Sequence, residues 1–465
     1  MVVFIRYHIT VLMVLRLLVL LAATTLAAQP VYVTLWFDTE DYITPEDDDA
    51  CLRLARDLTA RGVQATFKIV AEKARVLEKR GRRDVIAAMK RHDIAYHSEN
   101  HSIPPTPAVY LKNLSMAAGA AEFLVREGPG ARDVMRIFGV KSLSTYGQPG
   151  SSWGPQSHAA LRTMGIPSYV DEGRHVGVNN QPFWFSGLFW VFNLGPYAIR
   201  ADIDDESKLE ATIANARQRA AELQKAGGGV LHFWYHPNEF VCTEFWDGVN
   251  FSRGASPPRP AWKRAKLRTR ESSERAYRIL NRYVDELKKI PGVEFASVAQ
   301  LLPKYEPEAP PAIDAARAKA LLREKISFHD RWSAAELVAA AVGAPGRTGA
   351  PVEKRESSFR RDRVSPEQMA SMIAQAAAYI RSQRTLPPQV WIDNETLSIG
   401  DFAATVAHGD GRVHRGVLDF EKHIATDACR NFNWVIHPES FCAPELYELA
   451  RVEAWTLKPA YVRRR

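Results

Sequence analysis

A chain of 465 residues, 46% apolar and 25% charged, is long enough for two or three folded units and too rich in apolar side chains for a disordered one. Its 61 basic and 53 acidic residues leave a formal charge of +8, scattered except for Arg463, Arg464 and Arg465. That pattern argues against a nucleic-acid binder, which needs a basic stripe, and suits an anionic wall or membrane face equally well.

Residues 1–28 read as a signal peptide: Arg6 and Arg16 precede an apolar run from Leu17 to Leu26, with Ala27 and Ala28 at a cleavage site. An uncleaved anchor is the alternative, because the run from Val2 is about long enough to span a bilayer. Either way the body is expected to be secreted, periplasmic or held at the cell envelope. Four cysteines are too few for a disulfide scaffold; Cys429 and Cys442 could bridge locally, or all four could be buried thiols.

From residue 31 the chain alternates buried strands with amphipathic helices. Residues 31–37 (VYVTLWF) form the first strand, and Thr44-Pro45-Glu46-Asp47 opens a helix that Gly62 stops. Residues 63–70 form the second strand, and a short strand at 94–96 is followed by a helix over 107–126. Further strands are expected at 140–146, 168–170, 189–192, 230–235 and 293–297, with helices at 206–225 and 270–289. So many βα steps in one stretch predict an α/β fold, a distorted (β/α) barrel of seven or eight strands over residues 30–305. The proline-rich stretch Glu306 to Pro311 marks a linker, taken as 306–319, and residues 320–465 read as a second, mainly helical domain with its own core.

Three clusters carry chemistry. His97-Ser98-Glu99-Asn100-His101 sets two histidines four apart, which on one helical turn would bind a single metal ion. Phe37-Asp38-Thr39-Glu40-Asp41 puts carboxylates at the end of the first strand, where one could complete a metal site and another serve as general base. Residues 231–239 (LHFWYHPNE) run an apolar strand into His236, on the same edge, while His232 sits mid-strand.

In this order and at these strand ends, the clusters resemble the polysaccharide deacetylase family, the NodB-like carbohydrate esterases. HSENH resembles the family's H-[ST]-x-x-H metal motif, FDTED its first acidic motif, VQATFKIVAE its second strand and FWYHPNEF its late histidine strand. The resemblance implies Asp38 as base, His236 as acid, and Glu40, His97 and His101 as ligands of one divalent cation, zinc or a similar ion. Asp41 rivals Glu40 for the ligand role. It also implies hydrolysis of an amide on an amino-sugar polymer such as peptidoglycan. The family's third motif carries an arginine that Tyr146-Gly147-Gln148-Pro149-Gly150 lacks. Gln148 and Trp153 are the expected substrate contacts, and Trp184, Phe185, Trp190 and Trp234 are further rim aromatics that could stack on sugar; for each of the aromatics, Trp153 included, packing in the core is the favoured alternative. The alternative is a catalytically weak or inactive wall-binding protein on the same barrel. Residues 365–402 are weakly similar to pseudomurein-type cell-wall-binding repeats. Nothing in the sequence calls for a nucleic acid or a stable protein partner.

Overall fold

The computed structural model describes residues 29–463 except Lys325, Val417, Glu421 and Ala428, so the expected signal peptide lies outside the described residues. The first strand, β1 (Val31–Thr39), is buried along its whole length, which is why it reads as an unbroken apolar run. It lies at the centre of a parallel sheet. On one side it pairs with β7 (Gly229–Tyr235), and on the other with β2 (Thr66–Ile69) at its end and β8 (Val293–Phe295) at its start. β3 (Asp93–Tyr96) extends the sheet beyond β2.

A second sheet joins β4 (Ser168–Asp171), β6 (Leu188–Phe192) and β5 (Phe183–Phe185), with β4 and β6 parallel and β5 antiparallel to β6. The strand expected at 140–146 shrinks to Tyr146, whose backbone bridges Tyr96 on one side and Tyr169 on the other. Ala198 likewise bridges His232. The result is a mixed α/β fold whose two sheets are linked through single bridges.

Strand alternation decides which residues can reach the site. Val31, Val33, Leu35 and Phe37 pack into the large core with the helices. Tyr32 and Trp36 face the other way, into a second core with Val170, Val191 and Val230. Asp38 continues that inner row on β1, as Lys68 does on β2 and His236 just beyond β7.

The helix expected over 107–126 is two helices, Pro107–Leu111 and Met116–Phe138. Ser115 caps the second by accepting from the Ala118 amide, and Gly139 ends it at φ +60°. Past the linker, helices alternate with an unexpected hairpin, β9 (Gln389–Ile392) and β10 (Glu395–Ser398), inside the segment likened to wall-binding repeats. The last strand, β11 (Lys458–Pro459), adds to the edge of β5. Lys458 buries its ammonium on Glu336, at 2.7 and 2.8 Å, and Trp153 packs against Phe432 and Tyr447. Cys429 and Cys442 form a disulfide, while Cys51 and Cys242 are buried thiols.

These contacts set the expected result of a truncation. A fragment ending at Glu306 uncovers the edge of β5 and the Trp153 face, at about 1.5–3 kcal/mol for each large apolar side chain exposed, and should aggregate or lose cooperative melting. Recovery of a soluble fragment 29–306 that melts cooperatively would instead establish two independent cores.

Candidate metal centre and cleft

At the end of β1 the chain turns sharply, and its three carboxylates part company. Asp41 Oδ1 accepts the amides of Ile43 and Thr44, both at 2.9 Å, and so initiates the helix Pro45–Ala60. Glu40 points the opposite way. Its Oε1 accepts the Trp246 indole N–H at 2.9 Å, and its Oε2 lies 3.2 Å from His97 Nε2 and 2.8 Å from His101 Nε2.

The two histidines do not share a helical turn as the spacing predicts. They sit in a loop after β3, with Ser98 at φ +77° and His101 at φ +59°. The loop is held from beneath: the buried Glu127 carboxylate accepts the Glu99 amide at 2.8 Å and the Tyr96 hydroxyl at 2.8 Å. Burial above all, with the charge of Glu99, pushes Glu127 up to about 7. The Ser98 hydroxyl accepts the His101 amide, closing the turn.

Glu40, His97 and His101 are all buried, with ligand atoms within 4.8 Å of one another. His97 Nδ1 donates to the Gly147 carbonyl at 3.0 Å, and His101 Nδ1 lies 2.6 Å from Ser102 Oγ, which donates on to Asp247. With Nδ1 so engaged, each ring presents the Nε2 lone pair toward Glu40, the outer-shell pattern of metal-binding histidines. Two neutral imidazoles and one carboxylate suit a divalent cation. Burial disfavours charge on Glu40, but His101 and His236 outweigh it and hold the carboxyl well below its usual range.

Asp38 stands beside this triplet. Its Oδ1 is 2.8 Å from Lys68 Nζ, and the same ammonium lies 2.8 Å from Asp171 Oδ2 and donates to the Val170 carbonyl. Burial opposes the Asp38 charge, yet Lys68 foremost, then His97 and His236, keep that carboxyl below its ordinary value. Lys68 is wholly buried and lies against the 146–150 segment at Gly147. Gly147 leaves it that room, since a Cβ there would run into the ammonium. Gln148 instead accepts the Tyr169 hydroxyl and donates to the Gly150 carbonyl, at the cleft wall. The signal for Lys68 was present as a lone charge on the inner row of the apolar strand TFKI.

His236 closes the far side, with Nε2 3.7 Å from Asp38 Oδ2 and Nδ1 2.7 Å from Glu239, which also pairs with Arg200. Burial lowers its pKa, but Glu40, Glu239 and Asp38 together raise it to about 9, so the imidazole carries its proton at neutral pH.

These groups line one cavity of about 550 Å³, together with Gln148 and Trp234. Trp153 does not line it: the ring is buried, stacked on His175 at 3.7 Å. Trp184, Phe185 and Trp190 are also core residues, because their strands belong to the inner sheet. Sequence reasoning missed Trp434, which enters the cleft wall from inside the Cys429–Cys442 loop; no motif marked it.

No family model matches the chain, and no curated protein matches it. Among solved structures, a Mycobacterium smegmatis protein provisionally described as a polysaccharide deacetylase shares 15% identity over 59% of this chain and 89% of its own, with a TM-score of 0.38. A family 4 acetyl xylan esterase from Clostridium thermocellum, in complex with a cobalt ion, shares 13% over 58% and 90%, at 0.30. A CE4 family pseudoenzyme from Bacillus anthracis shares 11% over 59% and 66%, at 0.31.

Proposed function

We propose that this protein is a metal-dependent hydrolase of carbon–nitrogen bonds that removes acyl groups from an amino-sugar polymer of the cell wall. The observation that carries the reading is the convergence of the Glu40, His97 and His101 donor set with Asp38 and His236 on a single cleft. A divalent cation held by those three ligands, zinc being the first candidate for such a donor set, would supply Lewis-acid polarisation of the acyl oxygen and lower the pKa of water.

The remaining work falls to the chain's own side chains. Asp38, ionised beside Lys68, takes the proton of the attacking water. His236, protonated and aligned by Glu239, gives its proton to the departing nitrogen. Lys68 holds the Asp38 carboxylate at one angle through a contact that solvent does not reach. The buried setting strengthens each of these interactions relative to water.

The Cys429–Cys442 disulfide and the apolar segment at 17–26 support a location outside the cytoplasm.

The experiment is turnover of chitotetraose by the zinc-loaded protein, followed as released acetate. Asp38→Asn and His236→Ala should retain the metal and lose roughly 10²–10⁴-fold in turnover. Full activity of His236→Ala would remove it as the acid, and a wild-type protein that binds metal yet releases no acyl group from any amino sugar would leave a binding protein.

A further inference from the structure

The carboxylates that line the cleft have partners, whereas two of its cations have none. Lys68 serves both Asp38 and Asp171, the two histidines face Glu40, and His232 Nε2 lies 2.6 Å from Glu172. Two cations remain on the wall, Arg174 and Arg430. Both are exposed, and neither guanidinium has a carboxylate or a hydrogen-bond partner among the described residues.

These arginines lie far apart in sequence, and backbone pairing joins the two segments that carry them. The loop after β4 bridges the C-terminal segment at Val176 and Ile424, with the Ala425 amide on the His175 carbonyl and the Gly177 amide on the His423 carbonyl, both at 3.0 Å. Arg430 follows at the base of the disulfide loop. That loop is tied to the site itself: the Trp434 amide donates to Ser151 Oγ at 3.1 Å, its indole donates to Asp247 Oδ2 at 2.7 Å, and its ring covers Gly150, where φ is +54° and a Cβ would collide with it. The backbone that carries both arginines is therefore braced against the site.

A neutral sugar chain offers the two unpaired arginines hydroxyl and carbonyl oxygens but no charge to offset theirs. A carboxylate attached to the glycan would be drawn by their field and gripped by their planar donor forks. Resting on the acyl-sugar hydrolase reading above, we propose that the cleft selects an anionic glycan, in which a carboxylate on or beside the acylated sugar is bound by Arg174 and Arg430.

The test compares three tetrasaccharides by calorimetry on the zinc-loaded full chain: chitotetraose, which is neutral; alternating N-acetylglucosamine and N-acetylmuramate, with a lactyl carboxylate; and the hyaluronan tetrasaccharide, with a uronate. At least one anionic probe should bind about tenfold tighter than chitotetraose, the worth of one charge-assisted contact. The advantage should shrink with added salt, fall partway in Arg174→Gln and in Arg430→Gln, and vanish in the double variant, with melting temperature and zinc content as controls of the fold. Anionic probes that bind no tighter than chitotetraose, or a double variant that keeps the preference, would overturn the proposal. If chitotetraose is deacetylated and preferred, only the anionic selectivity fails; if no probe binds or reacts, the hydrolase reading fails with it.

Discussion

Glu40→Ala is expected to empty the metal site, and Asp41→Ala to leave it filled, although the two carboxylates are neighbours in sequence. Glu40 Oε2 is the atom that both imidazole Nε2 atoms approach, whereas both hydrogen bonds that the Asp41 side chain accepts go to the start of the helix at Pro45. Loss of an outer-shell partner alone lowers metal affinity by about 10–100-fold, so loss of a direct ligand should exceed that. His97→Ala and His101→Ala should behave like Glu40→Ala. Asp41→Ala should cost about 1 kcal/mol of stability through its lost hydrogen bonds and keep about one ion per chain. Metal analysis after gel filtration, set beside thermal melting, separates the two outcomes. An empty Asp41→Ala beside a filled Glu40→Ala would exchange their roles.

Lys68→Met should be the most damaging single change away from the metal ligands. It leaves Asp38 and Asp171 facing the same buried space with no cation between them, and breaking a buried pair in this way costs about 3–5 kcal/mol. Asp171 offers partial relief, because burial first and the Asp38 charge second, against Lys68, already push it up to about 7. A carboxyl whose folded pKa is raised binds its proton more readily folded than unfolded, and removal of Lys68 raises that of Asp171 further, so the Lys68→Met variant should lose stability as pH rises from about 4 through and beyond 7. Adding Asp171→Asn removes one of the stranded charges and should restore much of the stability. It should not restore turnover, because Asp38 would still lack the group that fixes its angle. Chemical denaturation at several pH values and acetate release on the same three variants read out the two effects. If the double variant recovers both, Lys68 acts on stability alone.

Much of the site was legible because its chemistry sits at strand ends, where residue type and position speak together. Asp38, Glu40, His97, His101 and His236 lie on one cleft as the spacing of strands and acids implies. The conformation of 97–101 was not legible, since a loop held by Glu127 and a helical turn both bring residues four apart together. Trp153 was misplaced because an aromatic near a motif looks alike whether it lines a cleft or fills the core behind one. The hairpin at 389–398 was hidden by its helical neighbours, although Asp393 and Asn394 between two short strands form a two-residue turn, with Asp393 at φ +55°. Lys68 required the register of β2, and the wall carrying Arg430 and Trp434 required long-range packing that no local pattern encodes.

The distance in sequence between floor and wall imposes an order on the molecule's birth. Asp38 and the two histidines leave the ribosome early, and the strand at Lys458–Pro459 that docks on Phe183 and Trp184 leaves late. Until that late segment arrives, the emerging polypeptide holds an open half-site without Arg430 or Trp434 to retain a substrate. Completion of the cleft is thereby deferred to the end of synthesis, and a premature stop between His236 and Arg430 removes Arg430 and Trp434 from its wall while sparing every proposed metal ligand.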